Sequence, residues 1–265
     1  MRLTERGRHY NSSPRNDLAP ELYKGRAPSG RRVSHPPIPL TSLRRSSILV
    51  SNGEQGVRRQ MKLVVVGGQA RKVGKTSVIA GLIRGLNTLA WTAVKISHHA
   101  GDPGSQGRPL AEELPAHLDF LLSQERDPSG HSDTSLYLTA GARRALWMRA
   151  REGTLARALP GLLAALEGDE HVIIESNSLL AFLKPAIFLF VMDESRGELK
   201  ASASQFLSRA DALVTVGADA KAPAWPGISL QMLEGKPVFP VSAGEWLNPA
   251  LCRFVREQLA TAEIR

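Results

Sequence analysis

The stretch VVVGGQARKVGKTSVIAGLI, residues Val64–Ile83, decides how this sequence is interpreted. It begins with valines typical of a buried strand, passes through the pair Gly67-Gly68, and ends in an amphipathic segment that begins near Lys75. Glycine permits backbone angles that let successive N–H groups point to one centre, and a helix N-terminus adds free N–H donors and a positive dipole end. The order strand, glycine loop, Gly-Lys-Thr and helix therefore predicts a loop that binds the phosphates of a nucleotide.

The chemistry of the loop residues predicts their roles. Lys75 is expected to reach the β- and γ-phosphates and act in catalysis, and the Thr76 hydroxyl is expected to ligate Mg²⁺. Five residues separate Gly68 from Gly74, one more than in the standard G-x-x-x-x-G-K-[ST] pattern, so a glycine turn before an ordinary helix is the alternative. The candidate nucleotide-binding residues of the loop are Gly67, Gly68, Arg71, Lys72, Val73, Gly74, Lys75, Thr76 and Ser77.

From Met61 onward, short β-branched runs alternate with helical patterns, which is typical of a parallel sheet with crossover helices. The sequence therefore predicts an α/β fold of the P-loop NTPase kind, with a mostly parallel sheet flanked by helices, in one domain over residues 61–265. The predicted strands are Leu63–Val66, Thr92–Ile96, Ala145–Arg149, Val172–Glu175, Ile187–Met192, Leu213–Val216 and Val238–Val241. Helices are predicted near Lys75–Leu86, Leu155–Leu166, Glu198–Arg209 and Glu245–Thr261, and a long loop or lid over Ser97–Ser132.

The first 60 residues differ in composition from the remainder. The chain of 265 residues has a net charge of +9, and residues 1–60 hold 12 Lys/Arg against 4 Asp/Glu. Their net charge of +8 leaves +1 for residues 61–265, so nucleic acid is not expected as a partner of the folded part. This Arg-, Ser- and Pro-rich stretch predicts a disordered basic leader, or sequence upstream of a start at Met61. A basic tail that touches nucleic acid or acidic lipid is the alternative.

Cysteine content and hydropathy limit the class of protein further. The single cysteine, Cys252, excludes an intrachain disulfide and a cysteine cluster for zinc. No apolar run approaches the roughly 18 residues needed to cross a bilayer, and the N-terminus lacks the apolar region of a signal peptide. We expect a cytoplasmic protein with no membrane partner.

Acidic and basic side chains beyond the loop predict the rest of a nucleotide site. Glu175 ends a predicted strand, on the rim where open parallel sheets bind ligands, and Asp133, which precedes a predicted helix, is expected to face the same crevice. With Thr76 they supply the oxygen ligands that Mg²⁺ prefers. Alternatives are a helix N-cap for Asp133, an exposed strand end for Glu175 and a solvated strand terminus for Lys95. The prediction for Lys95 itself is a second catalytic lysine that contacts phosphate or substrate.

Two adjacent histidines, His98 and His99, follow Lys95 closely. We expect them to contact phosphate or substrate, with a solvated loop as the alternative. Zinc held by both of them with His131 is a further alternative, although adjacent histidines rarely face one ion.

Three clusters together resemble the adaptor protein of molybdopterin-guanine dinucleotide biosynthesis, the MobB family of SIMIBI-type P-loop NTPases. The clusters read VKISHHAGD, SDTSLYLTAGARRALWM and HVIIESNS. Lys95, His98 and His99 match that family's Lys-His-x-His-His motif, with Ile96 in place of its first histidine. The pair Asp133-Thr134 precedes Ala140-Gly141-Ala142 at the family's spacing, and Glu175 ends a strand but is followed by Ser-Asn-Ser instead of glycine.

This resemblance implies a protein that binds GTP with Mg²⁺ and hydrolyses it slowly. It further implies assistance to the molybdenum cofactor guanylyltransferase, and homodimerisation. ATP stays possible because no Asn-Lys-x-Asp guanine signature is present. The longer phosphate loop also resembles dethiobiotin synthetase, so an ATP-dependent ligase is a rival, and a non-catalytic nucleotide switch is a third possibility.

Overall fold

The computed structural model describes residues 21–26, 60–99, 114–115, 117–193, 195–196, 199–217 and 230–262. The strands are β1 (Glu21–Arg26), β2 (Lys62–Gly68), β3 (Thr92–His99), β4 (Leu118–Gln124), β5 (Arg144–Arg151), β6 (His171–Glu175), β7 (Ile187–Asp193), β8 (Ala212–Val216) and β9 (Val238–Val241). The α-helices are α1 (Lys75–Gly85), α2 (Asp133–Thr139), α3 (Leu155–Ala165), α4 (Ala201–Leu207) and α5 (Pro249–Thr261). Short 3₁₀ turns lie at Asn87–Leu89, Ser178–Ala181 and Leu230–Met232.

The strands of the described residues form one sheet in the order β1-β4-β5-β3-β6-β2-β7-β8-β9. In this order, every neighbouring pair of strands from β5 through β3, β6, β2, β7 and β8 to β9 is parallel. Strands β4 and β1 add an antiparallel edge beside β5. The predicted α/β fold with a mostly parallel sheet flanked by helices is therefore confirmed. Because β2 lies in the middle of the sheet, the loop that follows it opens onto the rim between the ends of β6 and β7.

Apolar side chains from both faces of the sheet form two separate cores. Along β2, Val64 and Val66 pack with α1, α2 and α5 on one face, while Leu63 and Val65 pack with α3 and α4 on the other. Strands buried on both faces are expected as continuous apolar runs, which is the pattern that β2 and β7 show. The two-sided burial fixes the end of β2 rigidly under the phosphate loop.

The predicted strands from residue 61 onward are all present, but two further strands were not predicted. Strand β4 begins inside the segment HLDFLL, which the sequence placed in a loop over 97–132, and continues to Gln124. The expectation of a disordered leader is wrong for residues 21–26, because they form β1 and pair antiparallel with β4. Gly25 is needed in this pairing, since a Cβ there would collide with the Phe120 ring. The rest of residues 1–59, and residues 100–113 of the predicted lid, lie outside the described residues.

The last helix begins later than predicted, at Pro249 instead of Glu245. The Asn248 side chain accepts a hydrogen bond from Leu251 N at 3.0 Å, and Pro249 occupies the first turn, where its missing N–H costs nothing. No helix among the described residues has the length and apolar character to cross a bilayer.

Candidate nucleotide-binding site

The predicted phosphate loop lies between the end of β2 and the start of α1. Gly74 precedes the helix with φ +92°, and its carbonyl accepts the first helical hydrogen bond from Val78 N at 2.9 Å. Lys72 also has a positive φ, +59°, which is uncommon for a residue with a side chain. Lys72 and Arg71 are exposed, whereas Val73 is buried in the core, so the Val73 side chain anchors the loop and only its backbone is available to a ligand.

Gln69 fixes the start of the loop to the end of β7. Its buried side chain donates hydrogen bonds to the carbonyls of Asp193 and Arg196 at 3.1 and 3.0 Å, and accepts one from Asp193 N at 2.7 Å. Its backbone N–H donates to Val191 O at 3.0 Å, and its carbonyl accepts from Lys200 N at the same distance. Gln69 was not among the predicted site residues, because nothing in its sequence position distinguishes it from a solvated loop residue.

Asn177 holds the other side of the same loop. Its Oδ1 accepts from Gly68 N at 2.9 Å, and its Nδ2 donates to Gly68 O at 2.9 Å. The Asn177 side chain thus gives Gly68, the last residue of β2, hydrogen bonds on the side where β6 has already ended at Glu175. Asn177 lies in the Ser-Asn-Ser segment that departs from the MobB-like motif, so the resemblance gave no signal for this role.

Lys75 points back into the loop, where it is largely buried with 15% of its side chain exposed. Its Nζ donates to Ala70 O at 2.9 Å and lies 3.8 Å from Glu175 Oε1. Burial lowers the pKa of Lys75; Glu175 raises it, and three neighbouring cations, Lys95, Lys200 and Arg71, lower it further. Three further cations thus act electrostatically on the Lys75 ammonium, and this positive charge favours an anion at the loop. Lys200 was missed by sequence reasoning.

Glu175 joins the loop helix to the sheet. Its Oε2 accepts hydrogen bonds from the Thr76 hydroxyl at 2.8 Å and from the Tyr137 hydroxyl at 2.7 Å, with only 8% of the residue exposed. Burial, and then the charge of Glu175, raise the pKa of Tyr137 well above its ordinary value, so the phenol stays a donor. The alternative of an exposed strand end is wrong for Glu175.

The hydroxyl of Thr76 and the carboxylate of Glu175 form a donor set that fits Mg²⁺. This ion prefers oxygen ligands and keeps several waters, so two protein oxygens beside nucleotide phosphates suffice. Among the described residues, no group of three His, Cys, Asp or Glu gathers in a way that would hold a metal by itself. Thr76 and Glu175 therefore stay predicted Mg²⁺ ligands that act together with phosphate.

Asp133 and Lys95 form an ion pair at the same rim. Lys95 lies opposite Glu175 in the parallel register of β3 and β6, which places both side chains on the α1 face of the sheet. The N-cap of α2 is Ser132, whose Oγ accepts from Ser135 N at 3.1 Å, so the N-cap alternative for Asp133 is wrong. With 44% of its side chain exposed, Asp133 stays a predicted metal ligand that would first have to leave Lys95.

Of the predicted pair His98 and His99, the structure describes only the side chain of His98. Alternation along β3 continues from Val94 and Ile96 to His98, so this ring lies on the α3 face, opposite Lys95. His98 Nε2 lies 2.5 Å from Ser178 Oγ, and burial lowers its pKa against the opposing charge of Glu152. The side chain of His99 lies outside the described residues, and their predicted contact with phosphate stays a prediction.

Gly74, Gly81 and Gly85 form a row along α1, the glycine seam, against which residues 246–252 pack. A Cβ on Gly74 would lie 2.5 Å from the Trp246 ring, and one on Gly81 would collide with Trp246 O. A Cβ on Gly85 would meet Cys252 Sγ and Leu247 Cδ1. The segment after β9 therefore braces the N-terminus of α1 from outside the sheet.

Comparison with known proteins adds descriptions of similar folds. No protein-family model and no curated protein matches the sequence. Solved structures that match include HypB from Helicobacter pylori in complex with nickel, with 13% identity, 75% of this chain and 87% of that chain covered, and a TM-score of 0.42. A second is the hydrogenase maturation factor HypB from Archaeoglobus fulgidus, with 11% identity, 75% of this chain and 90% of that chain covered, and a TM-score of 0.40. A third is LpxK from Aquifex aeolicus in complex with ATP, with 18% identity, 68% of this chain and 53% of that chain covered, and a TM-score of 0.39. This chain thus spans about half of LpxK, and scores this low carry no argument about activity.

Proposed function

We propose that this protein binds a purine nucleoside triphosphate with Mg²⁺ and hydrolyses it slowly, with GTP as the preferred nucleotide and ATP as the other candidate. The observation that carries the proposal is the buried Lys75 ammonium, which lies among Arg71, Lys95 and Lys200 at the N-terminus of α1. Converging cations and helix N–H groups stabilise phosphate oxygens, and burial strengthens each of these interactions.

Each residue contributes a separate part of the chemistry. Lys75 would donate to β- and γ-phosphate oxygens in place of its bond to Ala70 O. Thr76 and Glu175 would hold Mg²⁺, which supplies charge neutralisation between the phosphates. Lys95, which lies beside Glu175 on the neighbouring strand and pairs with Asp133 in the ligand-free structure, would approach the transferring phosphoryl group. Hydrolysis is expected to be slow, because Glu175 is already engaged by the hydroxyls of Thr76 and Tyr137 and is poorly placed to deprotonate water.

The proposed biological role of the bound nucleotide rests on the MobB-like motifs. Lys95, His98, His99, Asp133 and Glu175 match residues of that pattern. On this basis the nucleotide would serve molybdenum cofactor biosynthesis in the cytoplasm, with the guanylyltransferase as partner and a homodimer as the working form.

Titration of the purified full chain with labelled GTP and ATP, each with and without Mg²⁺, tests the proposal. We expect both nucleotides to bind, GTP more tightly, and Mg²⁺ to increase the affinity. Single-turnover hydrolysis then distinguishes a weak GTPase from a non-catalytic switch, which would bind without cleavage. Failure of both nucleotides to bind at millimolar concentration contradicts the proposal.

A further inference from the structure

Four residues at the end of β6, Glu175 to Ser178, connect the phosphate loop to His98. Glu175 bonds Thr76, the N–H of Ser176 donates to Val66 O at 3.1 Å, and Asn177 bonds Gly68 through both its amide atoms. Gly68 in turn lies beside the shaft of Lys75, since a Cβ on this glycine would lie 3.1 Å from Lys75 Cδ. Ser178 follows Asn177 directly, and consecutive Cα atoms are about 3.8 Å apart. Ser178 therefore lies at the same rim of the sheet as the phosphate loop, because it follows the end of β6 and the loop follows the end of β2.

The hydroxyl of Ser178 is hydrogen-bonded to a base. Ser178 Oγ lies 2.5 Å from His98 Nε2, and the half-buried ring has its pKa lowered by desolvation. A neutral imidazole with its proton on Nδ1 presents Nε2 as an acceptor, which is the arrangement that takes a proton from a serine hydroxyl. Glu152, after β5, contributes a negative charge that opposes the effect of burial on His98.

The local backbone does not need this hydroxyl. The 3₁₀ turn at Ser178–Ala181 is bonded at its start by Ser176, whose Oγ accepts from Leu179 N at 3.2 Å. Ser178 Oγ has His98 Nε2 and, at 3.1 Å, Ser176 Oγ as its partners among the described residues. A hydroxyl that is spared from capping and bonded to a neutral imidazole is suited to act as a nucleophile.

We propose that Ser178 is a phosphoryl acceptor for the nucleotide bound at the loop, with His98 as its general base; this inference rests on the proposed nucleotide binding. His98 Nε2 takes the proton from Ser178 Oγ as Oγ forms a bond to the γ-phosphorus. The bond from that phosphorus to the bridging β–γ oxygen breaks, and the electron pair leaves with the nucleoside diphosphate. The products are phosphoserine at position 178, the diphosphate and a protonated His98.

The experiment incubates the full chain with Mg²⁺ and GTP or ATP labelled at the γ-phosphate, and maps the label by peptide mass spectrometry after an acid quench. Nucleotide binding is measured on the same sample. We expect acid-stable label on the peptide that contains Ser178, and none on Ser178→Ala. His98→Gln should slow labelling by roughly a hundredfold to ten-thousandfold, the range over which a general base acts. Ser176→Ala, the neighbouring hydroxyl, should keep the label.

Three outcomes overturn the inference. Binding without covalent label on Ser178 would mean that Ser178 and His98 form only a structural tie, and the proposed nucleotide binding would stand. Label that is lost in acid would place the phosphoryl group on a histidine instead. Absence of nucleotide binding would remove the proposed function together with this inference.

Discussion

The Thr76 hydroxyl donates a 2.8 Å hydrogen bond to Glu175 Oε2, joining the first turn of α1 to the end of β6. Thr76, the predicted metal ligand on α1, is thus held in position by Glu175, the predicted metal ligand on β6. Neither residue has to move far to share one ion, since oxygen ligands of Mg²⁺ lie about 2.1 Å from the metal and therefore within about 3 Å of each other.

Replacing Glu175 by Gln is expected to weaken Mg²⁺-dependent nucleotide binding by roughly tenfold to a hundredfold, because a bond to a charged group contributes about 1.5–3 kcal/mol. Binding without Mg²⁺ should change much less. The Gln carbonyl still accepts from Thr76 and Tyr137, so the fold should persist. The measurement is nucleotide titration at several Mg²⁺ concentrations. A lower melting temperature with unchanged Mg²⁺ dependence would show that Glu175 is purely structural.

Lys75→Ala should weaken triphosphate binding by roughly tenfold to a hundredfold, because one charge-assisted contact of about 1.5–3 kcal/mol is lost. Hydrolysis should fall further, since negative charge grows on the transferring group at the transition state. The matched control is Lys72→Ala, an exposed cation of the same loop, which should lose less. Equal losses at both positions would mean that the loop attracts anions only diffusely.

Lys75→Met should stabilise the ligand-free protein. Burial lowers the pKa of Lys75 in the folded state, so the charged form disfavours folding at neutral pH. The gain over wild type should shrink as the pH rises from the folded pKa towards the ordinary lysine value, because wild-type Lys75 then loses its charge. Urea unfolding at pH 7 and at alkaline pH measures this difference. An equal or larger gain at alkaline pH would contradict it.

Gly74→Ala is expected to destabilise the protein for two separable reasons. A left-handed backbone costs a residue with Cβ about 1–2 kcal/mol, and the new Cβ would press against the Trp246 ring. Gly153→Ala is the matched control, because Gly153 has φ +79° and no atom within 4 Å of an added Cβ. Denaturant unfolding should give a clearly larger loss for Gly74→Ala. Similar losses would mean that Trp246 moves away without cost.

A chain that begins at Met61 should bind nucleotide with unchanged affinity, because β1 lies at the sheet edge, separated from β2 by β4, β5, β3 and β6. A disordered leader, as the sequence predicts, would leave its stability unchanged as well. The structure alters this expectation, since removal of β1 uncovers the edge of β4 and should lower the melting temperature. Side-by-side thermal unfolding and titration of both chains decide the matter. A loss of affinity would contradict the separation of edge and site.

The sequence predicted the central sheet because each of its strands reads as an apolar run that needs no partner to be recognised. It missed β1 and β4 because antiparallel edge strands depend on each other: the Glu21–Arg26 segment has no apolar signal, and its register follows from Leu118–Gln124. Lys75, Thr76 and Glu175, which lie together in the structure, were predicted because phosphate chemistry requires those residue types after a strand. Gln69 and Asn177 were not, since their amides act on backbone groups brought together only by the fold.

The glycine seam on α1 also has a consequence for the order of events during synthesis. Gly74 and Gly81 are covered by Trp246, which the ribosome adds long after the phosphate loop has emerged. Translation at about 5–20 residues per second leaves the loop helix without this brace for roughly ten seconds or more. A nascent chain is therefore expected to acquire its full affinity for nucleotide only after residues up to 252 have been added and can pack against α1.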